Sequence, residues 1–310
     1  MFYTETMIFR AKPFVKWAGG KGSLLSQIDD LLPHAFLGSG EVTYVEPFVG
    51  GGALLFHVLN NYPNIKRAVI NDINEDLISC YKLIQSEPNL LIDALEVLDS
   101  HFLTLDDAGR KEYYYSLRQT YNQRSSDNVQ QAALFFFLNH TCFNGLYRVN
   151  SSSGFNVPYG KNNGKRICNK ELILADHKLL NKVNITILCG PYQHVAKHIR
   201  NYSNTFFYFD PPYLPISVTA YFKQYSNSPF EKEEQVQLKA FCDSISQKGG
   251  HFMLSNSDCK NEDGTSYFEQ LYAGYDCHRV RAKRFINARG DRSAETSEVV
   301  IRNYQAETLF

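Results

Sequence analysis

Apolar positions along this chain follow two rhythms, a short unbroken run and a 3–4 spacing, and the two alternate. Val42-Thr43-Tyr44-Val45 runs as a strand to Glu46, and Leu54, Leu55, Val58 and Leu59 then take helical spacing beyond Gly50-Gly51-Gly52. The unit repeats: Ala68-Val69-Ile70-Asn71 runs to Asp72, and Leu77, Ile78, Tyr81 and Ile84 mark a helix with Asn74 at its N-cap. Leu24, Leu25, Ile28, Leu31 and Leu32 predict an amphipathic helix over 24–32. Residues 89–138 are helical in pattern, interrupted by a polar loop between Gln123 and Gln131. Asn184–Cys189, Phe206–Phe209, Phe252–Asn256 and Glu298–Tyr304 read as further strands, with a helix over about 231–247. Strands alternating with helices predict an α/β chain.

The run Phe206-Phe207-Tyr208-Phe209 has the look of a strand covered on both faces. It must stop at Asp210, because Pro211 and Pro212 have no N–H for a ladder. One carboxylate, two rigid carbonyls and the ring of Tyr213 are thereby delivered to the C-terminal edge of a sheet, where ligands of open α/β sheets bind. Asp210 and the Pro211 carbonyl can accept hydrogen bonds from an amino group, and Tyr213 offers a stacking face. A plain strand end with a capping aspartate is the alternative.

Two glycine loops come earlier. Phe14-Val15-Lys16-Trp17-Ala18-Gly19-Gly20-Lys21-Gly22 resembles a phosphate loop but has Gly22 where that motif needs Ser or Thr after the lysine. The loop after Glu46 departs from the dinucleotide fingerprint, since Leu55 stands where the last glycine belongs. An acid at the strand tip repels pyrophosphate and suits an ammonium or ribose hydroxyls. Glu46 therefore favours a nucleoside with a cationic tail, and Asp72, about twenty residues on, is at the ribose-binding distance.

After the helical stretch, Asn144-Gly145 and Ser151-Ser152-Ser153-Gly154 are turn signals. They predict a twisted hairpin carrying Asn144, Arg148 and Asn150, side-chain types that read purine edges; a solvated loop is the competing reading.

Charge and composition add limits. Lys plus Arg and Asp plus Glu number 32 each, so attraction to nucleic acid has to come from local patches. One is Arg279, Arg281, Lys283, Arg284, Arg289 and Arg292, set against the single acid Asp291. The seven cysteines are dispersed without a C-x-x-C pair, which favours reduced thiols and a cytoplasmic setting over a zinc site or disulfides. No apolar run approaches the roughly 18 residues of a membrane span, and residues 1–12 lack a signal-peptide layout.

Together the segments F-V-K-W-A-G-G-K (14–21), V-E-P-F-V-G-G-G (45–52), N-D-I-N (71–74), F-N-G-L-Y-R-V-N (143–150), F-N-V-P-Y-G (155–160) and D-P-P-Y (210–213) closely resemble the Dam-type (class alpha) DNA adenine N6-methyltransferases, in that family's order and over nearly the whole chain. The resemblance implies a Rossmann-like mixed sheet at 1–76 and 165–310, with an inserted helical and β-hairpin target-recognition domain at 77–164. It implies S-adenosyl-L-methionine (AdoMet) as methyl donor, no metal, and a prokaryotic or phage-encoded enzyme acting on double-stranded DNA. A cognate restriction endonuclease in the same system is a further implied partner.

By the same resemblance Trp17, Lys21, Glu46, Phe48, Gly50, Asp72 and Asp210 fall at cofactor positions. Asp210, Pro211, Pro212 and Tyr213 fall at catalytic ones, and Asn144, Leu146, Arg148 and Pro158 on the recognition hairpin, with GATC as the implied target. One departure is Pro191, where the family commonly has an aspartate near the cofactor's adenine. Enzymes methylating cytosine N4 more often carry Ser in place of Asp210, and RNA or protein amino-methyltransferases more often Asn. A non-catalytic DNA-binding relative would not need the intact Asp210 and glycine loop.

Overall fold

The computed structural model describes residues 9–162, 164–214, 230–283 and 295–305, without the side chains of 282, 283, 295 and 296. Arg284, Arg289 and Arg292 of the basic stretch, and its one acid Asp291, lie outside the described residues.

A 3-10 turn (Lys21–Ser23) leads to α1 (Leu25–Asp29) and α2 (His34–Gly38), followed by β1 (Val42–Glu46), α3 (Ala53–Asn61), β2 (Ile65–Asp72) and α4 (Glu75–Ser86). Three long helices come next, α5 (Pro88–Thr104), α6 (Asp107–Gln123) and α7 (Asn128–Thr141), then α8 (Lys170–Lys182), β3 (Asn184–Cys189) and β4 (Thr205–Phe209). The described chain ends with α9 (Lys232–Gln247), β5 (His251–Ser257), α10 (Tyr267–Leu271), β6 (Asp276–Lys283) and β7 (Glu295–Arg302).

The helix expected over 24–32 is shorter than its apolar spacing suggested. Pro33 disfavours helical geometry at Leu32 and opens α2 instead. The spacing still serves burial, since Leu24, Ile28 and Leu32 are all buried. α8 was not anticipated; Asn169 caps it by accepting from the Leu172 N–H at 3.0 Å. Asn74 caps α4 as its position suggested, accepting from the Leu77 N–H at 2.9 Å.

The chain forms two compact units. One comprises Lys21–Val49, Tyr62–Asn71 and Pro191–Phe310. Its strands run in the order β2-β1-β4-β5-β7-β6. β2, β1, β4 and β5 are parallel, while β7 is antiparallel to both β5 and β6. β4 lies centrally and all five of its residues are buried, as its aromatic run required. Burying each such ring stabilises the fold by about 1.5–3 kcal/mol. The chain leaves β1 for β2 on one side and returns to β4 on the other. The tips of β1 and β4 therefore flank a topological switch point, the position at which such sheets bind ligands.

The other unit comprises Met1–Gly20, Gly50–Asn61 and Asp72–Gly190. α7 is apolar on nearly every face and is the core against which α4, α5 and α6 pack. Asp76 on α4 fastens the end of α6: the Tyr121 hydroxyl donates to it at 2.5 Å and Arg124 pairs with it at 2.6 Å. Asp99 on α5 accepts from the backbone N–H groups of both Ile167 and Cys168, fixing the entry to α8. β3 closes the unit, and Gly190 just beyond it donates to the Asp72 carbonyl at 3.0 Å.

Candidate functional site

At the tip of β4 the chain turns through Asp210-Pro211-Pro212-Tyr213, and three charged side chains converge there. Lys21 Nζ lies 2.8 Å from Asp210 Oδ1 and 3.8 Å from Glu298 Oε2. The Tyr213 hydroxyl donates to Glu298 Oε2 at 2.9 Å, and the ammonium stands 4.5 Å from the centre of the Tyr213 ring. Lys21 is buried to 4% side-chain exposure, whereas Asp210 keeps 20% and Glu298 14%.

Burial pushes the Asp210 carboxyl up from the ordinary carboxylate range, Lys21 pulls it back, and Glu298 adds to the rise. Burial raises the Tyr213 phenol further, with help from Asp210 and Glu298, so Tyr213 is a neutral hydroxyl at physiological pH. Pro211 is buried and Pro212 exposed. The turn is pinned from behind: Gln235 on α9 donates to the Pro212 carbonyl at 3.1 Å, and Asn256 on β5 donates to Gln235 at 3.2 Å. This scaffold holds a carboxylate, a neutral phenol and a rigid backbone in fixed relation.

In the same unit Glu46 is buried at the tip of β1 and accepts from the Tyr44 hydroxyl at 2.7 Å. A buried carboxylate next to a switch point suits a hydroxyl-bearing or cationic ligand and disfavours a phosphate. Phe48 follows in an aromatic cluster, its ring centre 5.2 Å from that of Tyr192 and 5.6 Å from that of Phe230. Pro191, the departure from the family pattern, opens the 3-10 segment that carries Tyr192.

In the other unit Asp72 is held by backbone. Its Oδ2 accepts from the Gly50 N–H at 3.0 Å and its Oδ1 from the Asn74 N–H at 2.9 Å. A carboxylate has about four acceptor sites, so each oxygen can still take a hydroxyl. Burial pushes this carboxyl up, and the N–H groups of Asn74, Gly50 and Ile73 oppose the rise. Gly50 has φ +48°, and a Cβ there would lie 2.7 Å from Trp17 Cδ1. The Tyr81 hydroxyl donates to the Gly50 carbonyl at 3.1 Å. Backbone, aspartate and indole thus meet at Gly50.

The predicted hairpin is present in this unit too. Val149 and Phe155 bridge its arms, and Asn150 closes the turn by accepting from the N–H groups of Ser152 and Gly154. Its ends are tied where the Phe143 N–H donates to the Pro158 carbonyl at 2.8 Å. Asn144, at φ +55°, Arg148 and Pro158 are exposed, and Leu146 is half-buried. Trp17 stacks on Tyr147 with ring centres 5.8 Å apart.

Several participants were not singled out from sequence. Asn156 accepts from Arg148 Nε at 2.7 Å and so orients that guanidinium. Asn122 on α6 receives the Phe155 N–H at 2.8 Å and donates to its carbonyl at 3.0 Å, imitating a strand partner. Glu298, read only as the start of a closing strand, proves to be the second carboxylate at the β4 tip. Its signal was an acid leading the apolar run Val299-Val300-Ile301. The basic stretch needs correction at Arg279: it lies on β6 and is engaged by Asp258 at 3.0 Å and Glu269 at 2.7 Å. Those acids precede it in sequence, outside the stretch that looked uncompensated.

Comparison with known proteins follows the same outline. A family model described as D12 class N6 adenine-specific DNA methyltransferase matches residues 17–286. The type II methyltransferase M.MjaIII of Methanocaldococcus jannaschii is 42% identical over 296 residues, covering 94% of this chain and 99% of its own. The type II methyltransferase M1.LlaDCHI of Lactococcus lactis subsp. cremoris is 36% identical over 296 residues, covering 94% and 95%. A DNA adenine methylase of Vibrio cholerae is 32% identical over 282 residues, covering 91% and 92%.

Proposed function

The chain belongs to the D12 class of N6 adenine-specific DNA methyltransferases, and from that premise we propose that it methylates the adenine of GATC, flipped from the duplex, with the β4 tip as reaction centre. AdoMet is the methyl donor and supplies a methyl group carried on a sulfonium. The observation that carries the choice of centre is the meeting of Asp210, the Pro211-Pro212 turn and Tyr213 at the switch point of the sheet.

A duplex shields the adenine amino group, and extruding the base costs a few kcal/mol. Stacking on Tyr213 offsets part of that cost. The amino lone pair is delocalised into the ring and is a poor nucleophile until its hydrogens are held out of the ring plane. Asp210 and the Pro211 carbonyl supply two acceptors for those hydrogens, and Pro212 stiffens the turn. The nitrogen gains a methyl and loses one proton. Asp210 acts first as an orienting acceptor, and its raised pKa equips it to take that proton. Alignment of the reacting atoms contributes much of the remaining acceleration.

For AdoMet we assign the positions that the family resemblance implies: Trp17, Lys21, Glu46, Phe48, Gly50, Asp72 and Asp210. The Asp72 oxygens suit ribose hydroxyls, Glu46 suits the cationic or hydroxylated part, and Trp17 and Phe48 offer aromatic surface. A backbone acceptor is assigned to the adenine in place of the family's aspartate at Pro191. Gly50→Ala forces a side chain into a left-handed conformation and against Trp17, a strain of about 1–3 kcal/mol. The expected result is an AdoMet Kd raised roughly tenfold, read by calorimetry. An unchanged Kd would remove Gly50 from the cofactor site.

Residues 77–164 are assigned to target recognition and 1–76 with 165–310 to catalysis. GATC rests on the hairpin text F-N-G-L-Y-R-V-N, with Asn144, Leu146, Arg148 and Pro158 reading the site. Double-stranded DNA is the substrate this reading requires. Two of the relatives are type II methyltransferases, and a cognate restriction endonuclease acting on the same sequence is assigned as a partner in the system, not a stable subunit. The setting that follows is the cytoplasm of a prokaryote, or of one carrying a phage. Among the described residues no helix is long and apolar enough to cross a membrane.

The test is methyl transfer from labelled AdoMet to unmethylated duplexes that differ in one site: GATC, GANTC or a scrambled sequence. Label in the GATC adenine alone is the expected result. Label in GANTC or the scrambled duplex overturns the target assignment.

A further inference from the structure

The reaction centre as proposed contains a conflict that its own geometry resolves. Asp210 is needed as an acceptor for the amino group, yet Lys21 Nζ already sits 2.8 Å from its Oδ1. An ammonium that close draws charge from the carboxylate and weakens it as an acceptor. Glu298 Oε2 stands 3.8 Å from the same ammonium, so a movement of about 1 Å transfers Lys21 from one carboxylate to the other. We propose that Glu298 is a positioning residue that draws Lys21 away from Asp210 when the amino group of the target base arrives. This rests on the reading of Asp210 as the acceptor.

Three features support it. First, among the described residues Lys21 is within ion-pair distance of two carboxylates, Asp210 and Glu298, so it can neutralise either. Second, Glu298 is itself located by the Tyr213 hydroxyl at 2.9 Å. A base stacking on Tyr213 therefore acts on a ring already coupled to Glu298, which links base arrival to the carboxylate that receives Lys21. Third, the ammonium lies 4.5 Å from the Tyr213 ring centre, within cation–π range, so the ring gives it a favourable surface beside both carboxylates.

The charged and titratable groups facing Asp210 are Lys21 from the 3-10 turn, Glu298 from β7, Tyr213 of its own loop and Tyr208 of β4, with Glu46 of β1 acting on Tyr208. Glu298 pushes the Asp210 carboxyl up and Lys21 pulls it down. Removing the Glu298 charge takes away a group that raises Asp210 and leaves the pull of Lys21 in place, so Asp210 titrates at lower pH and accepts less strongly.

The test uses Glu298→Gln and Glu298→Asp in the full chain with GATC duplex. Glu298→Gln keeps the size and one acceptor for Tyr213, so kcat at saturating substrate is expected to fall about tenfold, less than the ~100-fold of an outright 1 Å misplacement. The KM for DNA stays near wild type, and the acid limb of kcat moves to lower pH. In the unliganded protein, NMR titration of carbon-13-labelled aspartate shows Asp210 lowered in the same sense. Glu298→Asp withdraws the charge by one methylene and gives intermediate values of both, so either variant decides the matter if the other fails to fold. A structural defect lowers kcat without moving the Asp210 titration downward, and that result overturns the proposal, as does wild-type kcat with an unmoved titration. Asp210→Ala in the same assay separates the two levels: if it still methylates, the reading of the reaction centre fails and this inference with it.

Discussion

Replacing Asp210 with alanine is expected to lower kcat for methyl transfer by about 10³-fold, while the fold persists and AdoMet binding, which loses one of its assigned contacts, weakens far less than kcat. The magnitude follows from what is removed. Asp210 is the charged acceptor of the pair that holds the amino hydrogens, and a carboxylate accepts more strongly than the neutral Pro211 carbonyl. The fold should tolerate the change, because Asp210 is 20% exposed and Lys21 retains Glu298 as a partner. Single-turnover rates with pre-bound DNA isolate the chemical step, and calorimetry with AdoMet checks the scaffold. In the wild type the sign of the pH dependence is fixed by the same group. Asp210 accepts only when ionised, so activity falls as pH drops through its pKa. Burial places that acid limb above the ordinary carboxylate value of 3.8. A kcat within a few-fold of wild type in the alanine variant would show that the amino group is activated elsewhere.

The parts of this architecture legible in the sequence were those encoded within a few residues. β4 announced itself because four consecutive aromatics have no comfortable exposed arrangement, and its end did because two prolines cannot continue a ladder. The N-cap role of Asn74 and the turn through Ser151-Ser152-Ser153-Gly154 were readable for the same reason, since both are local. Asn150, grouped with the purine readers, instead has its side-chain oxygen on the Ser152 and Gly154 N–H groups of that turn. What was not legible depends on sheet order. Glu298 is 85 residues from Tyr213 in sequence, and it reaches the β4 tip only because β7 inserts antiparallel between β5 and β6. No periodicity states that insertion. Arg279 misled for a related reason: a window counting charges along the chain cannot see Asp258 and Glu269 folding back on it. The short α1 was a different failure, in which apolar spacing that does serve burial was taken as helix up to Leu32, the residue before a proline, where helical geometry is disfavoured.

Arg148→Ala is expected to reduce discrimination for the guanine of the target site by about 1–3 kcal/mol, from several-fold to on the order of 100-fold. The guanidinium has five N–H donors, and the one on Nε is given to Asn156 at 2.7 Å. The remaining donors are on the two Nη atoms, the fork that matches guanine O6 and N7. Asn156 is in turn part of the hairpin, its N–H donating to the Arg148 carbonyl at 3.1 Å, so the orientation is set by the hairpin itself. Asn122 secures Phe155 next to it from the helical side. Such preparation is characteristic of a reader and is more than a phosphate clamp needs. Competition between duplexes differing at the guanine, measured as kcat/KM ratios, distinguishes the two. A reader loses preference while transfer to the substituted site stays near its wild-type rate. A phosphate contact would instead weaken all sequences alike and reduce the salt dependence by about one ion. Arg148→Lys sharpens the comparison, because it keeps the charge without the planar fork. If lysine restores affinity but not preference, Arg148 reads a base; if it restores both, the hairpin contributes charge alone and the target must be read by Asn144, Leu146 and Pro158.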